Sequence, residues 1–148
     1  MGVSLKCQYG LRALYELARH WGGGQLVRIP SIAEAQAIPE RFLENILNQL
    51  RGGGFVDSRR GRGGGFVLAR PPAAITMAEI IKFIDGQIYD VDCEGEHPIH
   101  KCRFRGGNCV FLPVWREARQ CLENVYAAKT LQDLLDAGAG GSTPDYCI

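Results

Sequence analysis

The chain has 148 residues, 46% of them hydrophobic, a formal net charge of +1 and six cysteines. That length supports one sizeable core with a small appendage, and no stretch approaches the roughly 18 consecutive apolar residues of a membrane span. The opening Met1-Gly-Val-Ser-Leu-Lys6 has no signal-peptide core, so a cytoplasmic protein without membrane association is expected.

Residues 4–20 place Leu11, Leu14, Leu17 and Ala18 on one helical face, and Gly22-Gly-Gly24 stops that helix. Ser31-Ile-Ala-Glu34 has capping-box spacing and predicts a short helix to about Ala37. Pro39 suits the first position of the next helix, whose stripe Phe42, Leu43, Ile46, Leu47 and Leu50 is expected to be buried. Gly52-Gly-Gly54 ends it. Two β-prone runs, Phe55-Val56 and Phe66-Val-Leu68, flank an arginine- and glycine-rich hairpin tip over 57–65. After a joint at Pro71-Pro72, a second capping box, Thr76-Met-Ala-Glu79, starts a helix to about Asp85. Residues 87–111 show no periodicity and contain Cys93, Cys102 and Cys109; a long irregular stretch in a small protein usually binds something or moves. From Leu112-Pro113 a longer helix is predicted to about Ala128, with Trp115, Ala118, Leu122 and Val125 on one face and Cys121 packed among them. Thr130-Leu-Gln-Asp133 caps a final turn ending near Leu135, and the remainder, with Cys147, reads as a loose tail.

A short helix, a tight turn, a second helix and a hairpin make a winged helix-turn-helix. The fold class is therefore mainly α with a small β-wing. Residues 1–72 carry ten Lys/Arg against five Asp/Glu, while residues 73–148 carry seven against eleven, so the first half is the one suited to a polyanion. With its apolar stripe inward, the helix at Pro39 turns Glu40, Arg41, Glu44 and Asn45 outward, where Arg41 can read guanine, Glu44 cytosine and Asn45 adenine. Arg59, Arg60 and Arg62 around Gly61 form a thin cationic tip suited to a minor groove, whose potential attracts arginine. Ser31, opening the first helix of the pair, joins the DNA-facing set. The glycine-rich tip lacks the Gly-Lys-Ser/Thr ending of a P-loop, which excludes a nucleotide-binding loop.

Several motifs in order resemble the Rrf family of bacterial regulators, whose members include IscR, NsrR and CymR. They are Lys6-x-x-Tyr9-Gly-Leu-Arg-Ala-Leu14, Ile38-Pro-x-x-Phe-Leu-x-x-Ile-Leu-x-x-Leu50, Gly54-Phe-Val-x-Ser-x-Arg-Gly-x-Gly-Gly-Gly-Phe66, Ile75-Thr-x-Ala-Glu-Ile-Ile81, Val114-Trp-x-Glu117 and Thr130-Leu-x-Asp-Leu134. The resemblance spans residues 4–136. It implies a homodimer on a partly palindromic double-stranded operator, with the helix from Leu112 crossing to the partner subunit. It also implies a wing arginine at Arg60 in the minor groove and a role in base discrimination at Glu44. On this basis the chain divides into a DNA-binding domain over 1–72, a linker helix and cysteine segment over 73–111, a dimerisation helix over 112–136 and a tail over 137–148.

Three cysteines within seventeen residues, in a reducing compartment, favour a metal or redox site over a disulfide framework. Their spacing is not the paired Cys-x2-Cys of a zinc ribbon. The resemblance assigns Cys93, Cys102 and Cys109 to an iron–sulfur cluster, 2Fe-2S or 4Fe-4S, leaving a fourth ligand open. IscR-like members have a histidine where this chain has Leu112, and NsrR-like members an acidic residue where it has Gln8. Gln8, the adjoining Cys7, His100 and His97 are thus the candidates. The function expected is that of a repressor whose operator affinity follows cluster state, sensing redox conditions, nitric oxide or iron. The alternatives are a cluster-free regulator answering to a metabolite or partner protein, and a thiol enzyme, for which no paired base, oxyanion loop or cofactor motif is visible.

Overall fold

The structure is a computed structural model and describes residues 2–88 and 109–140. Among them the chain forms six α-helices and one two-stranded antiparallel sheet. The first, α1 (Leu5–Arg19), is capped by Ser4, whose hydroxyl accepts from the Cys7 amide. It runs through the middle of the core and buries Ala13, Leu14, Leu17 and Ala18. Gly10 lets the neighbouring helix lie close, since a Cβ there would stand 2.5 Å from Ile84 Cδ1.

The helix-turn-helix follows as α2 (Ile29–Gln36) and α3 (Glu40–Gly52). Ala37 turns the chain between them in the left-handed conformation, φ 49°. Ser31 is not a cap: Pro30 occupies the first turn and α2 begins at Ile29, so Ser31 lies inside the helix with its side chain exposed. The reason is tertiary. Val27 pairs with Phe66 of the hairpin through two backbone hydrogen bonds, 2.9 and 2.8 Å, which fixes the chain just ahead of α2. In α3 Leu43, Ile46, Leu47 and Leu50 are buried as expected, each such side chain contributing about 1.5–3 kcal/mol. Phe42 is the exception at 43% exposed: it lies at the edge of the stripe, beside Tyr9 and under the Arg41 guanidinium. Pro39 is the N-cap residue, one position ahead of the helix.

The hairpin pairs β1 (Val56–Arg59) with β2 (Gly65–Leu68), with Val56 opposite Leu68 and Arg59 opposite Gly65. Val56, Phe66 and Leu68 point into the core while Asp57 and Arg59 point out, the period-two alternation of a half-buried ribbon. The strands run further than predicted, so the tip shortens to residues 60–64; Gly61 and Gly63 take positive φ there, which glycine adopts without strain.

A 3-10 turn, Pro72–Ala74, leads into α4 (Met77–Asp85), and Thr76 and Glu79 form the predicted capping box. After α5 (Leu112–Ala127), Thr130 and Asp133 form a second box that opens α6 (Leu131–Ala139). This is a nine-residue helix rather than a single turn, and it extends into the segment predicted as tail. Thr76 and Thr130 bridge one another, with Met77 N–H donating to Lys129 O at 2.8 Å and Leu131 N–H to Ile75 O at 3.0 Å. Ile75, Ile80 and Leu131 belong to the same apolar core as the helix-turn-helix and wing, so the core does not break at residue 72. No residue of α5 is fully buried; Trp115, Ala118 and Leu122 are half-buried, while Cys121, expected to be packed, is exposed among the described residues. No helix among the described residues is long and apolar enough to cross a membrane.

Candidate nucleic-acid interface

Burial of Leu43, Ile46, Leu47 and Leu50 fixes the rotation of α3 and leaves Glu40, Arg41, Glu44, Asn45 and Asn48 exposed. Beside it the wing presents Arg59, Arg60, Gly61 and Arg62, all exposed. The two elements meet at an open cleft of about 270 Å³ whose lining includes Glu44 and Asn48 from α3 and Arg59 and Arg60 from the wing. Sequence reading found both walls but missed the contact joining them: Arg51 Nη1, in the last turn of α3, donates to Ser58 Oγ of β1 at 2.9 Å. Spacing puts Glu44, Asn48 and Arg51 on one helix face, but nothing local places Ser58 opposite them. Gly65 completes the wing's seat, since a Cβ there would lie 2.6 Å from the Val27 carbonyl oxygen.

The helix-turn-helix is braced from behind by Glu16, which is 4% exposed. Its carboxylate accepts from Gln36 Nε2 of α2 at 2.8 Å and Arg19 Nη1 at 3.1 Å, and contacts His20 Nε2 at 3.2 Å. Burial alone pushes this carboxyl up, but the bonds from Gln36, His20 and Arg19 outweigh it and hold it below its ordinary value.

Of the candidate cluster ligands, Cys93, His97, His100 and Cys102 lie outside the described residues. Cys109 is half-buried just ahead of α5, and its carbonyl accepts from Leu112 N–H. Cys7 is wholly buried, and burial and then the neighbouring Asp85 carboxylate push its thiol up to about 12. Gln8 is exposed at the same end of α1, its amide donating to Val3 O. Asp85, at the end of α4, accepts from Ser4 N at 2.9 Å and Ser4 Oγ at 2.5 Å, tying the start of α1 to the point where the chain leaves for the cysteine segment. Among the described residues no three His, Cys, Asp or Glu side chains converge as a metal site.

A helix-turn-helix whose second helix shows a polar face beside an arginine-tipped hairpin is a winged-helix DNA-binding domain. Residues 3–137 match the family model of Rrf2, described as an iron-dependent transcriptional regulator. The chain belongs to the Rrf2 family of transcriptional regulators. It is 35% identical to the HTH-type transcriptional regulator CymR of Bacillus subtilis over 90% of this chain and 89% of that one. Among solved structures it is similar to T. potens IscR, with a TM-score of 0.74 and 33% identity covering 99% of this chain and 95% of that one. It is likewise similar to CymR, the global cysteine regulator of B. subtilis, with a TM-score of 0.77 and 32% identity covering 92% of this chain and 97% of that one. The family and these relatives are transcriptional regulators, not enzymes.

Proposed function

We propose that the chain is a homodimeric repressor that binds a partly palindromic DNA operator, with affinity set by an iron–sulfur cluster on Cys93, Cys102 and Cys109. The observation that carries the DNA reading is the placing of Arg59 and Arg60 of the wing across one cleft from Glu44 and Asn48 of α3, with Arg62 exposed further along the tip. In this arrangement α3 enters a major groove, where Arg41, Glu44 and Asn45 meet base edges, and Arg60 enters the neighbouring minor groove. Dimerisation is supported by α5, which has no fully buried residue among the described residues and leaves Val114 and Val125 open, with Val110 and Phe111 exposed just ahead of it. A second copy of the helix supplies the missing apolar cover.

The donor set fits a cluster in three of four positions: three thiols within seventeen residues, thiolate being the usual iron–sulfur ligand. When bound, the cluster supplies a centre whose state responds to oxidants, nitric oxide or iron supply. Gln8, exposed where α1 meets the end of α4, stands as the fourth ligand from the partner subunit, ahead of His100 and His97. Around it the chain's own residues carry the coupling. Ser4 and Asp85 hold the departure point of the cysteine segment to α1, and Glu16 holds the far end of α1 to α2.

A second reading, a cluster-free regulator answering to a metabolite or partner protein, is favoured by the similarity to the cysteine regulator of B. subtilis and by Leu112. Anaerobic reconstitution separates the two. Brown protein with stoichiometric iron and sulfide, lost in Cys102→Ala, supports the cluster, whereas wild-type protein that retains no iron supports the second reading. For DNA, selection from a random duplex pool should return a partly palindromic site that Arg60→Ala binds more weakly.

A further inference from the structure

Along α3, Glu44, Asn48 and Arg51 recur at i, i+4 and i+7 and so form one stripe facing the wing. Across the cleft stand Ser58, Arg59 and Arg60. Three guanidinium groups thus meet a single carboxylate, and the cleft is cationic. Arg51 reaches across it to the wing, with Nη1 donating to Ser58 Oγ at 2.9 Å. That bond uses one of the five donors of a guanidinium. An α-helix in a major groove and a hairpin in the adjacent minor groove are separated by one sugar–phosphate strand. On this chain the strand must cross the cleft.

We infer that Arg51, oriented by Ser58, is a phosphate-binding residue that grips the DNA backbone between the two grooves and sets the wing in register with α3. The assignment rests on the DNA-binding reading above and adds to it a residue whose contact carries no sequence information. Its effect is therefore uniform over sequences, unlike that of Glu44 or Asn45. A plain structural brace between helix and hairpin would show the same bond but no electrostatic signature, and the two are separable by salt.

The test is a fluorescence-anisotropy titration of the full chain against the selected duplex and an unrelated duplex, between about 50 and 200 mM KCl. One lost phosphate contact lowers the slope of log affinity against log salt by about 0.9, so the ratio of affinities at those two salts shrinks roughly 3.5-fold. Arg51→Gln should show that loss on both duplexes, Arg51→Lys should keep the wild-type slope, and Ser58→Ala should keep the slope while losing operator affinity. Arg51 is exposed and Ser58 half-buried, and thermal unfolding of each variant checks that the fold persists. A wild-type slope in Arg51→Gln, with Arg60→Ala still impaired, overturns the assignment and leaves Arg51 a brace. Wild-type binding by both Arg51→Gln and Arg60→Ala instead overturns the DNA-facing orientation of the wing itself.

Discussion

Leu131→Ala probes how the last helix is joined to the DNA-binding head. Leu131 is wholly buried in the core shared by α1, α3 and the wing, with Leu134 and Leu135 packed against it. Truncation removes three carbons and leaves a cavity that the backbone around it cannot easily collapse. Leu131 N–H is bonded to Ile75 O, and two residues earlier Lys129 O accepts from Met77 N–H. Lost transfer free energy plus the cavity come to about 3 kcal/mol. Against a stability of about 5–15 kcal/mol for a typical domain, that is a fifth or more of the total. With a urea slope of about 2 kcal/mol/M, the unfolding midpoint should fall by about 1.5 M. Lys129→Ala, at an exposed position of the same joint, should change stability by no more than about 0.5 kcal/mol. Urea denaturation followed by circular dichroism reads both. A midpoint shift below about 0.3 M for Leu131→Ala would mean that α6 is an ornament on the head and that α5 is not rigidly carried by it.

Two further outcomes follow from single contacts. Gly65→Ala drives a Cβ into the Val27 carbonyl, so either the Val27–Phe66 bridge opens or the wing tilts; operator affinity should fall together with about 1–2 kcal/mol of stability, and an anisotropy titration with a thermal melt at wild-type values would contradict this. The carboxyls of Glu16, Glu79 and Asp133 all lie below their ordinary values: Glu79 because the Thr76 amide and Arg70 outweigh its burial, Asp133 chiefly because of the Thr130 amide. A carboxylate depressed by folding stabilises above its unfolded pKa, and the contribution is lost as pH falls through the folded value. The urea midpoint should therefore drop between about pH 5 and 3, less steeply in Glu16→Gln, and a midpoint that holds or rises would refute the sign.

Legibility of the fold from sequence tracked how local each determinant is. The capping box at Thr76 was readable because nothing outside residues 76–79 is needed to make it. The same spacing at Ser31 misled because Val27, held by Phe66 some forty residues away, sets where α2 begins. Phe42 satisfied the apolar spacing of α3, yet its neighbours are Tyr9 and Arg41 at the surface, a fact of how α1 crosses α3. Cys121 lies among apolar positions of α5, but burial needs a surface packed over it, and none of the described residues covers it. At the site, the arginine tip and the polar side of α3 were visible in composition and period. The Arg51–Ser58 link was not, since the two residues meet only once the hairpin folds back on the helix. Cys7 and Gln8 are adjacent in sequence but opposite in environment, one under Asp85 and one at the surface, which only the rotation of α1 decides.

An effector can act as a switch only through a difference in affinity for two arrangements of the protein, about 1.4 kcal/mol for each factor of ten. The decisive measurement is therefore operator affinity of one preparation, assayed anaerobically before and after loading with iron and sulfide. Affinities that differ tenfold or more, with the difference abolished in Cys102→Ala, are what thiolate control of a winged-helix head requires. Equal affinities in iron-loaded and iron-free wild-type protein would contradict it.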